Sequence, residues 1–254
     1  MLNKSNPIGV MDSGIGGLTV VRELQRILPG EDIIYFGDSA NCPYGNKTAD
    51  QIFELSCHML QFLGSNGVKC TAVACNTIST MAERLRPCFD FRIISIVEEA
   101  AKYVIREKLS SVGLIGTEFT VASGKYAELI HQGNPDCHVV GKGSPLLAAL
   151  VDRGDFNQHD INLEITTQVD NILSREKVND LILGCTHYPH RGGKLPRVLS
   201  AAAPHQPRAR AGECRQGVPR RAECPEPAEE GHLHHLYQRR PAGVRQRRQA
   251  SRSL

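Results

Sequence analysis

No C-x-x-C pair occurs among the nine cysteines of this 254-residue chain. That removes the dithiol of a thioredoxin-type redox centre and the usual frame of a zinc ribbon. No apolar run approaches the length of about 18 residues that a membrane span needs. The chain does not open on a basic stretch leading into an apolar one, so no export signal is expected. An odd number of irregularly spaced thiols then reads as reduced cysteine in a cytoplasmic protein. Both phosphate-binding fingerprints are missing as well. The glycine-rich "DSGIGG" at 12–17 is neither G-x-x-x-x-G-K-[ST] nor G-x-G-x-x-G, so it carries no nucleotide signature.

What is present is uneven. The chain is 41% hydrophobic, long enough for one domain or two of moderate size. Its net charge of +3 conceals a break. Residues 1–190 hold 16 Lys+Arg against 22 Asp+Glu, a net of −6, whereas residues 191–254 hold 14 against 5, a net of +9.

Up to residue 190, apolar strand-like runs alternate with helical spacing. Strands are expected at "PIGVMD" (7–12), "DIIYFGD" (32–38), "CTAVACN" (70–76), "RIISIV" (92–97), "SVGLIGT" (111–117), "CHVVGKG" (137–143) and "DLILGCT" (180–186). Helices are expected at 17–29, 49–64, 79–86, 98–108, 121–132 and across 145–177. Strands that are apolar throughout, separated by amphipathic helices, predict parallel sheets covered on both faces. The fold class is α/β. A weak internal echo, "IGVMDSG" against "VGLIGTE" and "AVACNT" against "LILGCT", suggests two pseudo-symmetric lobes.

In sheets of this type ligands gather at the carboxyl ends of strands. Cys75 and Cys185 sit at two such ends, each before a polar turn, where helix N-terminal N–H groups would lower a thiol's pKa. Cys57, Cys70, Cys88 and Cys137 read as core residues. A Cys–His nucleophile could use His187 but leaves a second equivalent thiol unexplained. A metal site lacks further ligands at a recognisable spacing. Two acid/base groups working on opposite faces of one carbon would use both thiols. Around them, Asp12 and Ser13 stand at the mouth of the glycine turn. Tyr44 and Gly45 lie in a loop able to donate hydrogen bonds to a carboxylate.

The motifs "GVMDSGIGGLTV", "YFGDSANCPYG", "ACNT" and "GCTHYP", in this order over residues 7–190, resemble the aspartate/glutamate racemase family. The resemblance implies two α/β lobes with the active site between them, no cofactor and no metal. It implies that Cys75 and Cys185 remove and return the α-proton of glutamate on opposite faces, making D-glutamate for peptidoglycan and cell-wall biogenesis. Asp12 would assist Cys75 and His187 would assist Cys185. Asp12, Ser13, Tyr44, Gly45, Asn76, Thr77, Thr186 and His187 would bind substrate. "THYP" favours glutamate over aspartate. Asp152 in "GSPLLAALVDRG" stands where the family tends to carry a glutamate, one methylene shorter, and is included among the catalytic candidates. Expected partners are glutamate, with no membrane, and with nucleic acid only through the basic tail; a homodimer stays open.

These readings divide the chain into a first lobe at 1–97, a second at 98–190, and an Arg/Pro/Ala-rich tail at 191–254 where the family would complete the first lobe. The tail has 13 arginines, seven prolines and no Ile, Phe, Asp, Asn or Thr. Such a composition predicts irregular or disordered chain, apart from weak apolar patches near 195–203 and 233–237. One reading is a polyanion-binding basic arm. The other is a shifted reading frame of a family-type C-terminus, in which case the chain could be an inactive, tail-damaged racemase. Under the second reading, sequencing of the source DNA should reveal a single-base insertion or deletion near codon 190 whose correction restores a family-like tail. An intact frame rejects it.

Overall fold

The computed structural model describes residues 5–144, 158–174 and 176–186, together with backbone strands at 197–200 and 233–237. Two all-parallel sheets organise it. The first runs β4-β3-β1-β2-β9 and the second β6-β5-β7-β8. The strands are β1 (Ile8–Asp12), β2 (Ile33–Gly37), β3 (Cys70–Val73), β4 (Arg92–Ser95), β5 (Ser111–Gly116), β6 (His138–Gly143), β7 (Asp180–Gly184), β8 (Arg197–Ser200) and β9 (Leu233–Tyr237). The two apolar patches of the tail are thus where strands form. β8 pairs with β7 and β9 with β2, each as a parallel edge.

The echo read in the sequence is repeated in the topology. In the first sheet β1 lies between β2 and β3, and in the second β5 lies between β6 and β7. Cys75 follows β3 and Cys185 follows β7, so the two thiols leave equivalent strands of the two sheets.

The helices are α1 (Leu18–Ile27), α2 (Ala49–Ser65), α3 (Asn76–Ser79), α4 (Ala82–Leu85), α5 (Ile96–Arg106), α6 (Glu118–Ala122), α7 (Lys125–Gly133) and α8 (Gln158–Leu173). Local chemistry sets several starts. Thr48 and Gln51 form a reciprocal capping box on α2, satisfying donors that the first helical turn leaves open. Ser95 caps α5, with Glu98 and Glu99 in its first turn. That cap ends β4 two residues before the expected boundary at 97. The helix expected at 79–86 is instead two short ones, α3 and α4. The helix expected at 121–132 is broken at Gly124, whose φ of 65° lies in the left-handed region that glycine occupies without steric cost. Of the helices expected across 145–177, residues 145–157 lie outside the described part.

Each sheet is covered on both faces. In the first, Ile52, Leu60 and Leu63 of α2 pack on Val73 and Ile93, while Val21 of α1 covers Val10, Ile33 and Tyr35 from the other side. In the second, Val97, Ala101 and Val104 of α5 join Ile130 of α7 over Val112, Leu114 and Ile182. Val169 and Ile172 of α8 lie against Ile115, Leu181 and Leu183. Among the described residues no helix is long and apolar enough to cross a membrane.

Leu60 is fully buried in the first-lobe core, and that core positions β1 and β3. Leu60→Ala should therefore cost about 2–5 kcal/mol through lost transfer energy and a residual cavity. Urea unfolding should show a lowered midpoint at an unchanged slope.

Candidate active site

The carboxyl ends of β1, β3, β5 and β7 converge. They line a narrow cleft whose walls include Ser13, Cys75, Asn76, Thr117, Cys185 and Thr186. Tyr44, Gly45 and Thr77 also line it, as does Cys42, which sequence reasoning did not single out.

Asp12 ends β1 and is fully buried. Its carboxylate cannot lie there unpaired without a large desolvation cost. One oxygen accepts from the Gly14 N–H at 2.9 Å, and the other from the Thr186 hydroxyl of the opposite lobe at 3.0 Å. Tyr35 donates to the Gly14 carbonyl at 2.6 Å and so pins the glycine turn to β2. Gly16 is needed for close approach: a Cβ there would lie 2.5 Å from the Thr186 hydroxyl oxygen. The turn brings the lobes together because it has no side chain at that point.

Cys75 sits directly before α3, 5% exposed, and its thiol donates to the Ser13 hydroxyl at 3.3 Å. The expected lowering of its pKa is reversed. Burial first, and then the negative charge of Asp12, push the thiol up to about 12 from its ordinary 9.0. Ser13 and the Ile78 backbone group act in the opposite direction but do not win, and Cys185 adds a smaller upward push. The helix that follows Cys75 is only four residues long, so its dipole is weak against desolvation. Cys185, after β7, is partly buried.

Beside the thiols, Asn76 accepts a hydrogen bond from Tyr126 of the second lobe at 2.6 Å. The hydroxyls of Thr77, Thr117 and Thr120 form a buried triangle with edges of 2.8–3.1 Å across the lobes. Tyr44 is held by Asp38, its hydroxyl donating at 2.6 Å; burial and that carboxylate keep the phenol protonated. His187 and Asp152 lie outside the described residues. Of the cysteines read as core, Cys137 is buried, Cys57 and Cys70 are half-buried against the core of the first sheet, and Cys88 is exposed. Among the described residues no group of three or more His, Cys, Asp or Glu is placed to hold a metal ion.

Residues 8–205 match the Asp/Glu/Hydantoin racemase family. The chain belongs to that family. Within it, the chain is 39% identical over 194 residues to a glutamate racemase of Desulforudis audaxviator, covering 76% of this chain and 71% of that one. It is also similar in structure to the glutamate racemase isoform RacE1 of Bacillus anthracis, with a TM-score of 0.73 at 32% identity, covering 79% and 78% of the two chains. A glutamate racemase of Francisella tularensis, solved in complex with D-glutamate, aligns with a TM-score of 0.68 at 38% identity over 74% of this chain and 71% of that one.

As a site in a racemase-family chain, the cleft includes Cys42, Thr117 and Gly184, with Asp38, Thr120 and Tyr126 directly behind its walls. Thr117 could have been found from the sequence, since it directly follows β5 as Ser13 directly follows β1. Tyr126 carries no sequence signal, because only the packing of α7 brings it to Asn76.

The raised Cys75 thiol has a pH consequence. In the unfolded chain it ionises near 9.0, in the folded chain only near 12. The stability that this difference supplies is complete below pH 9 and is lost as pH rises toward 12. Thermal melts should therefore fall across that window, with Tyr44 and Tyr126, both also raised, contributing in the same direction. Cys75→Ala should fall less steeply. An identical slope in the variant would show that Cys75 is not so shielded.

Proposed function

We propose that this chain is an amino-acid racemase that interconverts L- and D-glutamate without a cofactor, with Cys75 and Cys185 as its two acid/base groups. One observation carries the reading: both thiols leave equivalent strands of two sheets and line the same cleft. A single thiol suffices for a nucleophile, whereas inversion at carbon needs a proton taken from one face and returned on the other. The glutamate racemases similar to this chain support the substrate class.

The donors around the cleft fit an amino acid with two carboxylates. Ser13, Asn76, Thr77 and Thr186, with the Tyr44–Gly45 loop, offer hydroxyl, amide and backbone donors. Asp12 offers a negative charge suited to the substrate ammonium. In the reaction one thiolate takes the α-proton, the resulting carbanion is held by the carboxylate donors, and the opposite thiol delivers its proton. The thiol that acted as base leaves protonated and the acid leaves as thiolate, so the next turnover runs most simply in reverse or after proton exchange with water.

Burial and the Asp12 charge keep Cys75 protonated. A substrate ammonium beside Asp12 would offset that charge and favour the thiolate. Substrate would thereby generate the base that acts on it. His187 and Asp152 are assigned helper roles, His187 on the Cys185 side. We assign the chain's lobes to residues 1–97 and 98–190, its setting to the cytoplasm, and its product to peptidoglycan synthesis.

Proton NMR of L- and D-glutamate incubated with the chain in D2O tests the mechanism. The α-proton signal should disappear with wild type. Cys75→Ala and Cys185→Ala should each lower racemisation by about 10²–10⁴-fold, the scale of a lost acid/base group. A variant that racemises at the wild-type rate would reject the two-thiol mechanism, and no exchange by folded wild type would reject the activity.

A further inference from the structure

Tyr126 belongs to none of the motifs that marked the site, yet it touches both thiol-bearing segments. The left-handed break at Gly124 turns the start of α7 into the interface between the lobes, and Tyr126 is 1% exposed there. Its hydroxyl donates to Asn76 Oδ1 at 2.6 Å, next in sequence to Cys75. Its ring edge also packs against Gly184, the residue before Cys185, with Cε2 3.7 Å from where a Cβ on Gly184 would stand.

An asparagine amide is two-faced. It presents an acceptor on one side and two donors on the other, and only its partners decide which side faces where. Burial and the nearby Cys185 keep the Tyr126 phenol protonated, and a buried hydroxyl must place its proton on an acceptor. With Oδ1 taken by that proton, the Nδ2 donors of Asn76 are left for the cleft that this residue lines. A cleft that takes carboxylates needs donors and is harmed by a bare carbonyl oxygen.

We propose that Tyr126 is a positioning residue, fixing the Asn76 amide with its NH2 toward the cleft so that it donates to a substrate carboxylate. This rests on the reading of the cleft as a glutamate site. The role acts through binding, since Tyr126 itself is behind the wall and does not reach the reacting carbon.

The test is a cycle of Tyr126→Phe, Asn76→Ala and the double variant, with KM and kcat measured in both directions of racemisation. Tyr126→Phe should raise KM about 5–20-fold, the scale of one buried hydrogen bond, and leave kcat within about twofold. The double variant should match Asn76→Ala, because Tyr126 has no effect once the amide is gone. An unchanged KM in Tyr126→Phe, or effects that multiply in the double variant, would overturn the proposal.

Glu83→Gln separates positioning from simple tethering. It breaks a second link between the lobes, the Lys125–Glu83 ion pair at 2.8 Å, beside Tyr126 but away from Asn76. KM should stay at the wild-type value; a rise equal to that of Tyr126→Phe would mean that the tyrosine only holds the lobes together. A turnover-independent readout is the Asn76 side-chain NH2 signal in 15N-labelled, substrate-free protein. It should be a single sharp pair in wild type and broadened or doubled in Tyr126→Phe, and an unchanged pair overturns the proposal. If wild type shows no racemisation, the glutamate reading fails, while the amide signal still decides what Tyr126 does.

Discussion

A buried carboxylate with partners in both lobes is the constraint on which the site depends. Asp12 ends the central strand of the first sheet and is sealed from water, so its charge has to be met by donors held in place. The Gly14 N–H meets it from its own turn, and the Thr186 hydroxyl from the far lobe. These bonds require the tight glycine turn, the absence of a side chain at Gly16, and a second lobe docked closely enough to deliver Thr186. The same charge then acts on Cys75 and, with burial, holds its thiol in the protonated form. One interaction therefore shapes the turn, joins the lobes and sets the resting state of an acid/base candidate.

The second organising feature is repetition. A parallel strand, crossover helix and parallel strand aim both carboxyl ends the same way, and polar residues gather beyond those ends. When such a unit occurs twice and the halves share one cleft, the turns that follow the third strand of each half line it together. Cys75 and Cys185 hold those positions. The order β3-β1-β2 in one sheet and β7-β5-β6 in the other makes their shared place in the cleft a property of topology. Inter-lobe hydrogen bonds from Tyr126 to Asn76 and among the threonines keep the halves in register.

Much of this was legible in the chain itself. Period, apolar runs and turn glycines are local properties, so the seven strands up to residue 184 and the α/β class could be read directly. The errors lay where a local rule met a stronger competitor. Ser95 capped a helix inside an expected strand end, Gly124 divided an expected helix, and the helix after Cys75 was too short for its dipole to outweigh burial. Even within the basic tail, the two places that formed strands were the two with an apolar patch, because a parallel edge needs little more than a short extended segment beside an open partner.

The sequence by itself determined the fold class, the family motifs and the placing of Cys75 and Cys185 just beyond strand ends, since each is encoded in residues that are adjacent or regularly spaced. Tertiary structure decided what those residues experience. Burial of Cys75, the sharing of Asp12 between lobes, the entry of Thr117 and Cys42 into the cleft, and the contact of Tyr126 with Asn76 join residues up to 174 positions apart. No local pattern records them. Desolvation and hydrogen-bond pairing depend on the full surroundings of an atom, and those surroundings exist only once the two sheets have closed on each other.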